Sequence, residues 1–556
     1  MSGGPGPSGG RREAWLSAGA VFLLALAVRI VAARLVSFPV PEDTAYYVDV
    51  ARNVVAGRGL VSDALWSYGT PPLAVPRAAF EVWLPLPSLL AAVPMTLAGA
   101  TFAAAQSVSV VAGALVAVLA WRLGADVAAE LRLPPGRART LGLGSGVVAA
   151  AYGPFVLHSA LPDSTMLFAV LGVAACLLMA RLLRAGGDAG GEAGRVGAAA
   201  IRPTDRRLLG LGLLLGVAAL TRNEAAWLAL AWAALAWFAV PGRRAERLRL
   251  IVVPGLVAVA AYAPWAVRDW LVFGSPLPGQ AVANAFSVSG LDIFAWHDPP
   301  TLGRYLAQGP AALARMRLDG FVHNLVTVLL VPAIPVGPLG LLALPATARL
   351  RSLRPLLLAS LLIFAVATLV FPVATTWGTF LHAAGPVHVL LIVSCLVGLD
   401  GLIASVGRWR GWTRPVAWLG PATAAGIGLP ILVLTMTGIG ALARDTAARY
   451  EALGPALARA GAPLDGRTPV ISDHPIWLAY ATGQPALALP DEPPPSVLDL
   501  VGRFGADLLV LSGTHGRWPA VLDAHTPEAS CFRELDLSAV PGSPLAGTRA
   551  FRIVCR

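Results

Sequence analysis

The feature that most constrains this chain is a succession of long apolar runs, at 14–36, 102–121, 141–160, 164–180, 208–221, 224–241, 250–268, 321–347, 355–373, 386–406 and 415–438. A helix rises about 1.5 Å per residue, so about 20 apolar residues cross a hydrocarbon layer about 30 Å thick. Inside lipid, only a helix or a closed barrel satisfies every backbone N–H and C=O. The runs therefore predict an α-helical polytopic membrane protein with about eleven transmembrane helices. The runs 208–221 and 224–241 are short and abut at Thr221-Arg222-Asn223-Glu224. Composition agrees: 56% of the chain is hydrophobic and 13% is charged, against about 25% charged in an average soluble domain. One large soluble enzyme and a disordered chain are both excluded.

The net charge of +11 at first invites a nucleic-acid reading, and all 42 basic residues are Arg. Their placement gives another meaning. The alternate connections 1–13, 122–140, 181–207, 242–249, 349–354 and 408–414 hold 22 Arg and 7 acidic residues, and the rest of the chain holds 20 Arg and 24 acids. By the positive-inside rule these connections face the cytoplasm. The N-terminal tail 1–13 is then cytoplasmic, the segment 14–438 is the transmembrane domain, and 439–556 lies outside. The length of run 14–36, its internal Arg29 and the lack of a small-residue cleavage site speak against a cleaved signal peptide. The charge makes no case for a nucleic-acid partner; the lipid bilayer is the expected one.

The outer side carries a large first loop, 37–101, a short turn at Pro162-Asp163, a loop at 269–320 and the tail. The tail alternates β-like runs (469–472, 486–489, 507–511) with helix-like runs (476–482, 496–504). That pattern predicts a small extracytoplasmic α/β domain. Cys531 and Cys555 lie in it, where a disulfide can form, while Cys176 and Cys395 sit within spans as core residues. No internal repeat is visible, and no nucleotide or metalloprotease motif is present.

The first loop opens with Pro41-Glu42-Asp43-Thr44-Ala45-Tyr46-Tyr47, two adjacent carboxylates at the membrane lip ahead of a helix over 44–56. Acids at a helix start are also ordinary capping. The helix reads as amphipathic, suited to lying on the interface, with Asp49, Arg52 and Asn53 on its polar side. The proline-interrupted stretch 82–97 reads as juxtamembrane. Asp163, in Leu161-Pro162-Asp163-Ser164, is an ionisable group next to hydrocarbon, hence a functional candidate, and also a natural cap for the following span. Arg77, Arg222 and Arg268 offer planar forks suited to phosphate. Snorkelling to the interface is the plain alternative for Arg268 and, less readily, for Arg222, which can also simply pair with Glu224. His382 and His388, in and after Trp377-Gly378-Thr379-Phe380-Leu381-His382, are metal ligands or simple polar contacts.

Taken in order, these pieces resemble the polytopic C-type (GT-C) glycosyltransferases, the broad family of protein O-mannosyltransferases (glycosyltransferase family 39) and the aminoarabinose lipid A transferase. The match runs from Pro-Glu-Asp-Thr-Ala-Tyr-Tyr, Ala51-Arg52-Asn53 and Gly57-Arg58-Gly59 through Leu-Pro-Asp163-Ser. It continues in Gly212-Leu-Leu-Leu-Gly216, Leu220-Thr-Arg222, Ala263-Pro-Trp-Ala-Val-Arg268, Val272-Phe-Gly-Ser-Pro276 and Gly378-Thr-Phe-Leu-His382, and covers about residues 14–400. The resemblance implies a polyprenyl-phosphate-linked sugar donor and an inverting transfer to a hydroxyl of a lipid, glycan or protein acceptor. It places the reaction at the outer face of a bacterial plasma membrane, in the cell envelope.

In the family the first-loop acids run Asp then Glu, with the Asp catalytic; here they run Glu42 then Asp43, so alignment favours one and residue type the other. Either serves as general base, with Asp43 the preferred candidate. Asp163 matches the second acidic position and either orients the acceptor or, with Asp43, helps hold a divalent metal ion. Arg77, Arg222 and Arg268 are the expected donor-phosphate contacts, and Tyr46, Glu81 and His382 complete the set as substrate contacts. The rival readings are a secondary transporter or lipid flippase, and a catalytically inactive scaffold of the same fold. Against transport, the ionisable groups cluster at the outer lip and no repeated halves are visible.

Overall fold

The computed structural model describes residues 7–187, 201, 205–277, 280–413, 416–513, 516–524, 527–537 and 543–555. Most of the Arg-rich connection 181–207 lies outside them. The membrane body opens with α1 (Pro7–Leu35); the first loop supplies α2 (Glu42–Val55) and α3 (Leu86–Ala98), and α4 (Phe102–Glu130) returns through the body. The third apolar run, read as one span over 141–160, is two helices, α5 (Pro135–Ala150) and α6 (Gly153–Ser159), bent by 50°. The cause is local. Continuing α5 would require an N–H at Pro154 to meet the carbonyl of Ala150, and proline has none. Arg29 of α1, fully buried, fills the gap. It donates to Ala150 O at 3.0 Å, to Ala149 O at 3.2 Å and to Ser159 Oγ at 3.0 Å. Gly113 of α4 makes room, since a Cβ there would stand 2.5 Å from Arg29 Nε. A charge in the hydrocarbon layer is tolerated here because its donors meet orphaned acceptors. The bend delivers His158, and then Asp163, to the membrane lip.

The chain continues with α7 (Thr165–Gly187), α8 (Arg206–Ala219), α9 (Ala225–Phe238) and α10 (Arg244–Phe273). By length and apolarity six described helices can cross a bilayer: α1, α4, α7, α10, Gly385–Trp409 and Leu419–Arg459, with the α5–α6 pair as a seventh. The other expected spans lie on shorter helices: α8, α9 and Arg354–Leu369, with 321–347 divided. That last run leaves the helix Gly309–Val322 through a π-helical stretch, His323–Leu330, and resumes as Val336–Thr347.

The helix expected to lie on the interface does not. Within α2, Thr44 to Ala51 and Asn53 are all buried, including the polar side that would have faced water. The reason is a partner invisible to local periodicity. Arg52 lies 4.0 Å over the Tyr480 ring and donates to its hydroxyl at 2.7 Å, while Asn53 donates to the Val61 carbonyl at 2.9 Å. The C-terminal unit covers this face.

That unit is an α/β layer. Its strands β4 (Val470–Ser472), β5 (Ala486–Ala488) and β6 (Leu508–Leu511) are parallel, and β7 (Phe532–Leu535) and β8 (Arg549–Ile553) close it antiparallel. The first three strands and the intervening helices Pro475–Thr482 and Pro494–Phe504 fall where the alternation placed them. The first loop contributes a two-residue hairpin, β1 (Val61–Ser62) with β3 (Arg77–Ala78), and a further strand, β2 (Ala64–Leu65). β2 joins the edge of the C-terminal sheet beside β5, giving the order β2-β5-β4-β6-β8-β7. Loop and tail are thus one hydrogen-bonded layer. The last membrane helix carries no break at 438 but runs on to Arg459. Cys531 and Cys555 form a disulfide.

Candidate active site

A cavity of about 790 Å³ opens at the lip where membrane body, first loop and C-terminal unit meet. Glu42, Asp43, Glu81, Arg222, Glu224, Asp269, His323 and His382 supply its acidic and basic lining. Trp66, Trp83, Trp227, Trp377 and Trp477 supply much of its apolar wall.

Asp43 occupies the first turn of α2, and its Oδ1 accepts from the Thr44 amide at 2.8 Å. Its Oδ2 meets His382 Nε2 at 3.0 Å. On the far side of the same ring, Nδ1 lies 2.7 Å from Thr165 Oγ1 and 3.4 Å from Asp163 Oδ2. Asp163 does not reach the cavity. It is fully buried behind His382, caps α7 through the Thr165 amide at 2.7 Å, and meets His158 Nδ1 at 3.3 Å. Burial alone would lower the His382 pKa, but Asp43 and Asp163 outweigh it and push it up to about 10. Burial would likewise raise Asp163, yet the hydrogen bonds from His158 and His382 hold it below the usual carboxylate range. A histidine kept protonated cannot take up a proton at neutral pH. What it can do is donate from both nitrogens and hold Asp43 in place.

Glu42, one residue earlier, turns to the C-terminal unit. Its Oε2 lies 3.1 Å from His474 Nδ1, and its Oε1 accepts from the Ile476 amide at 3.2 Å. The two adjacent first-loop acids thus have different partners.

Of the three arginines, only Arg222 lines the cavity. It forks onto Glu224 at 3.0 and 2.8 Å, and also donates to Ser164 Oγ at 2.9 Å and to Thr379 O at 3.2 Å. Arg77 is 1% exposed, donates to the carbonyls of Ser67 and Thr70, and pairs with Glu81 at 3.1 Å. Arg268 pairs with Asp269 at 2.9 Å and stacks over Trp265 at 4.7 Å. Tyr46 is buried among Trp66, Phe80 and Trp83, and its hydroxyl accepts from the Phe80 amide at 2.7 Å. Glu81 does line the cavity. Phe80 just before it holds φ at 74°, a strained value for a bulky residue and the kind found at functional sites. Burial raises the Glu81 pKa against the opposing pull of Arg77. His388 lies apart from the cavity, 2.8 Å from the Tyr152 hydroxyl.

The donor set expected for a divalent ion was Asp43 with Asp163. The structure groups Asp163 with His158 and His382 instead, with ligand atoms all within 4.8 Å of one another. Two imidazoles and one carboxylate suit a borderline first-row cation better than magnesium or calcium, once His382 gives up its Nδ1 proton.

No family model matches the sequence, and no curated protein matches it. Solved structures do. The chain is similar to ArnT from Cupriavidus metallidurans bound to undecaprenyl phosphate, at 14% identity and a TM-score of 0.55, over 97% of this chain and 98% of that one. The apo state of the same protein gives a TM-score of 0.53 over 98% of each chain, again at 14% identity. The fold is that of a C-type glycosyltransferase. The archaeal oligosaccharyltransferase AglB from Archaeoglobus fulgidus, in complex with an inhibitory peptide and a dolichol-phosphate, shares this fold at 14% identity. Its TM-score is 0.53, over 90% of this chain and 69% of that one.

Within this glycosyltransferase fold, several cavity or cavity-backing residues carry no sequence signal of their own. His158, Thr165, Asp269 and His474 are single polar residues in unremarkable contexts. Trp477 lines the cavity from a helix 430 residues further along the chain than Tyr47. Glu224 was legible only as a neighbour of Arg222.

Proposed function

We propose that this protein transfers a sugar from a polyprenyl-phosphate donor to an acceptor hydroxyl at the outer membrane face, with inversion at the anomeric carbon. The observation that carries the reading is Asp43: a carboxylate at the cavity wall, oriented by His382 and aimed into a pocket shared with Arg222. The fold, common to a protein bound to undecaprenyl phosphate and one in complex with a dolichol-phosphate, supports a lipid-linked donor.

In this reading Asp43 accepts the proton of the acceptor hydroxyl while the oxygen forms its bond to the anomeric carbon. The bond from that carbon to the phosphate oxygen breaks on the opposite face. The departing polyprenyl phosphate takes the electron pair, and Arg222 stabilises its charge. Arg77 and Arg268 act from behind the wall by fixing the loop around Glu81 and the end of α10. Asp163 acts through His382. His158, Asp163 and His382, once His382 gives up its Nδ1 proton, would hold a divalent ion behind the cavity wall, and its charge would act on the site through the His382–Asp43 pair.

The test supplies membranes holding the protein with radiolabelled polyprenyl-phosphate sugar. Consumption of the lipid with transfer of label, lost in Asp43→Asn at unchanged expression, supports the reading. Uptake of intact lipid-linked sugar into vesicles, or full transfer by Asp43→Asn, overturns it.

A further inference from the structure

On the membrane face opposite the cavity, the later part of α4, the last turns of α7 and the first turn of α8 border a second concavity of about 440 Å³, lined by Arg122, Arg181, Arg184, Ala185 and Arg207. Two of these arginines are held side by side: Asp126 of α4 pairs with Arg122 at 2.9 Å and with Arg184 of α7 at 3.3 Å. Arg207 is paired by Asp205 at 3.0 Å. Arg181 has no hydrogen bond or ion pair among the described residues. Glu130 is nearby, but its carboxylate accepts from the amides of Arg351 and Ser352 at 2.6 and 2.9 Å. Among the described residues, four guanidinium groups thus share one pocket with the carboxylates of Asp126 and Asp205. Like charges converging on a concavity repel unless an anion sits among them, and the positive-inside bias asks only for basic residues at this face, not for their convergence.

The helix surfaces leading to the pocket are apolar. On α4, Val111, Leu115 and Val118 stand eleven, seven and four residues before Arg122, on one stripe, with Val111 and Leu115 over 40% exposed. On α7, Val170, Ala174 and Leu178 stand eleven, seven and three residues before Arg181 and are partly exposed. At 3.6 residues per turn each stripe runs down its helix to its arginine. The combination is an apolar track with a cluster of phosphate-matching forks at its end.

We propose that this pocket binds the phosphate headgroup of an anionic phospholipid, whose acyl chains lie along the apolar stripes of α4 and α7. The inference is independent of the reaction at the opposite face.

The test follows the unfolding temperature of the full-length protein in neutral detergent as phosphatidylglycerol, phosphatidylcholine or inorganic phosphate is added. Phosphatidylglycerol is expected to raise it, and the other two are not. Arg181→Gln and Arg207→Gln should each weaken the apparent affinity for phosphatidylglycerol about fivefold. Arg181 serves as the first variant because it makes no hydrogen bond or ion pair among the described residues, whereas Arg122 and Arg184 pair with buried Asp126. An equal shift with phosphatidylcholine, a full shift with inorganic phosphate, or wild-type affinity in both variants overturns the proposal.

Discussion

Two walls of the cavity meet the same turn of α2 and use the same pair of chemical groups differently. On the membrane-body side, Asp43 meets His382 at 3.0 Å; on the side of the C-terminal unit, Glu42 meets His474 at 3.1 Å. His382 is backed by a second buried carboxylate, Asp163, and by Thr165, so its ring is fixed from both ends. His474 has one hydrogen-bonding partner across the interface and lies on a more exposed wall, with its side chain 25% exposed against 11% for His382. Glu42 is further committed by the Ile476 amide. One contact therefore orients a carboxylate toward the cavity, and the other fastens the α/β layer onto the loop. In the proposed reading, a histidine–carboxylate pair takes its role from what stands behind the histidine.

The sharpest way to break this contrast is to neutralise the two acids separately. Asp43→Asn is expected to lower transfer about a thousandfold, as loss of a general base does. Glu42→Gln should lower it no more than about fivefold, in line with a partly exposed pair. Transfer assays on matched amounts of membrane protein compare the two, and equal losses would erase the distinction. His382→Gln comes next, with about a hundredfold loss in kcat and little change in KM, because Asp43 would remain present but misplaced.

Arg29→Leu tests the scaffold beneath the membrane-side wall. It leaves the Ala149 and Ala150 carbonyls without the Arg29 donors and should destabilise the body by about 2–6 kcal/mol, at about 1–3 kcal/mol for each orphaned group. The unfolding temperature in detergent reads this, with activity falling in parallel as the α5–α6 bend loses the contacts that brace it.

The smallest effect concerns pH at the other wall. Burial lowers the His474 pKa, but the hydrogen bond and charge of Glu42 outweigh it and raise it above its ordinary value. The contact with Glu42 therefore contributes fully below about pH 6.5, the unfolded histidine value, and is lost as pH rises through the higher folded value. Hydrogen exchange over 38–52 and 474–482 should accelerate across that window once corrected for the intrinsic pH dependence. His474→Gln should flatten the response.

Much of the architecture was legible in the apolar runs, because lipid leaves the backbone so few options. The tail's first three strands and two helices were legible for a related reason: short apolar runs between turn residues read as buried strands. The strand β2 was not, since Ala64 and Leu65 are two residues in a long loop and only the edge of β5, more than 400 residues away, makes them a strand. The helix α2 was read as amphipathic, correctly on its own pattern. Its polar face was assigned to water because nothing local to Arg52 or Asn53 points to Tyr480. At the site, Glu42, Asp43, Arg222, Glu81 and His382 were all named from the sequence and all line the cavity, whereas Arg77, Arg268, Asp163 and Tyr46 stand behind its wall.

The sequence by itself determined that this chain lives in a bilayer, which stretches can cross it, and that a handful of ionisable groups, at 42–43, 163 and 222, sits at the ends of those stretches. Those follow from hydrocarbon thickness and the cost of charge within it, which act residue by residue. Only the tertiary structure gave Glu42 and Asp43 different partners, His474 for the one and His382 for the other. Adjacent residues on a helix differ by about 100° in direction, so what each one meets depends on elements hundreds of residues away.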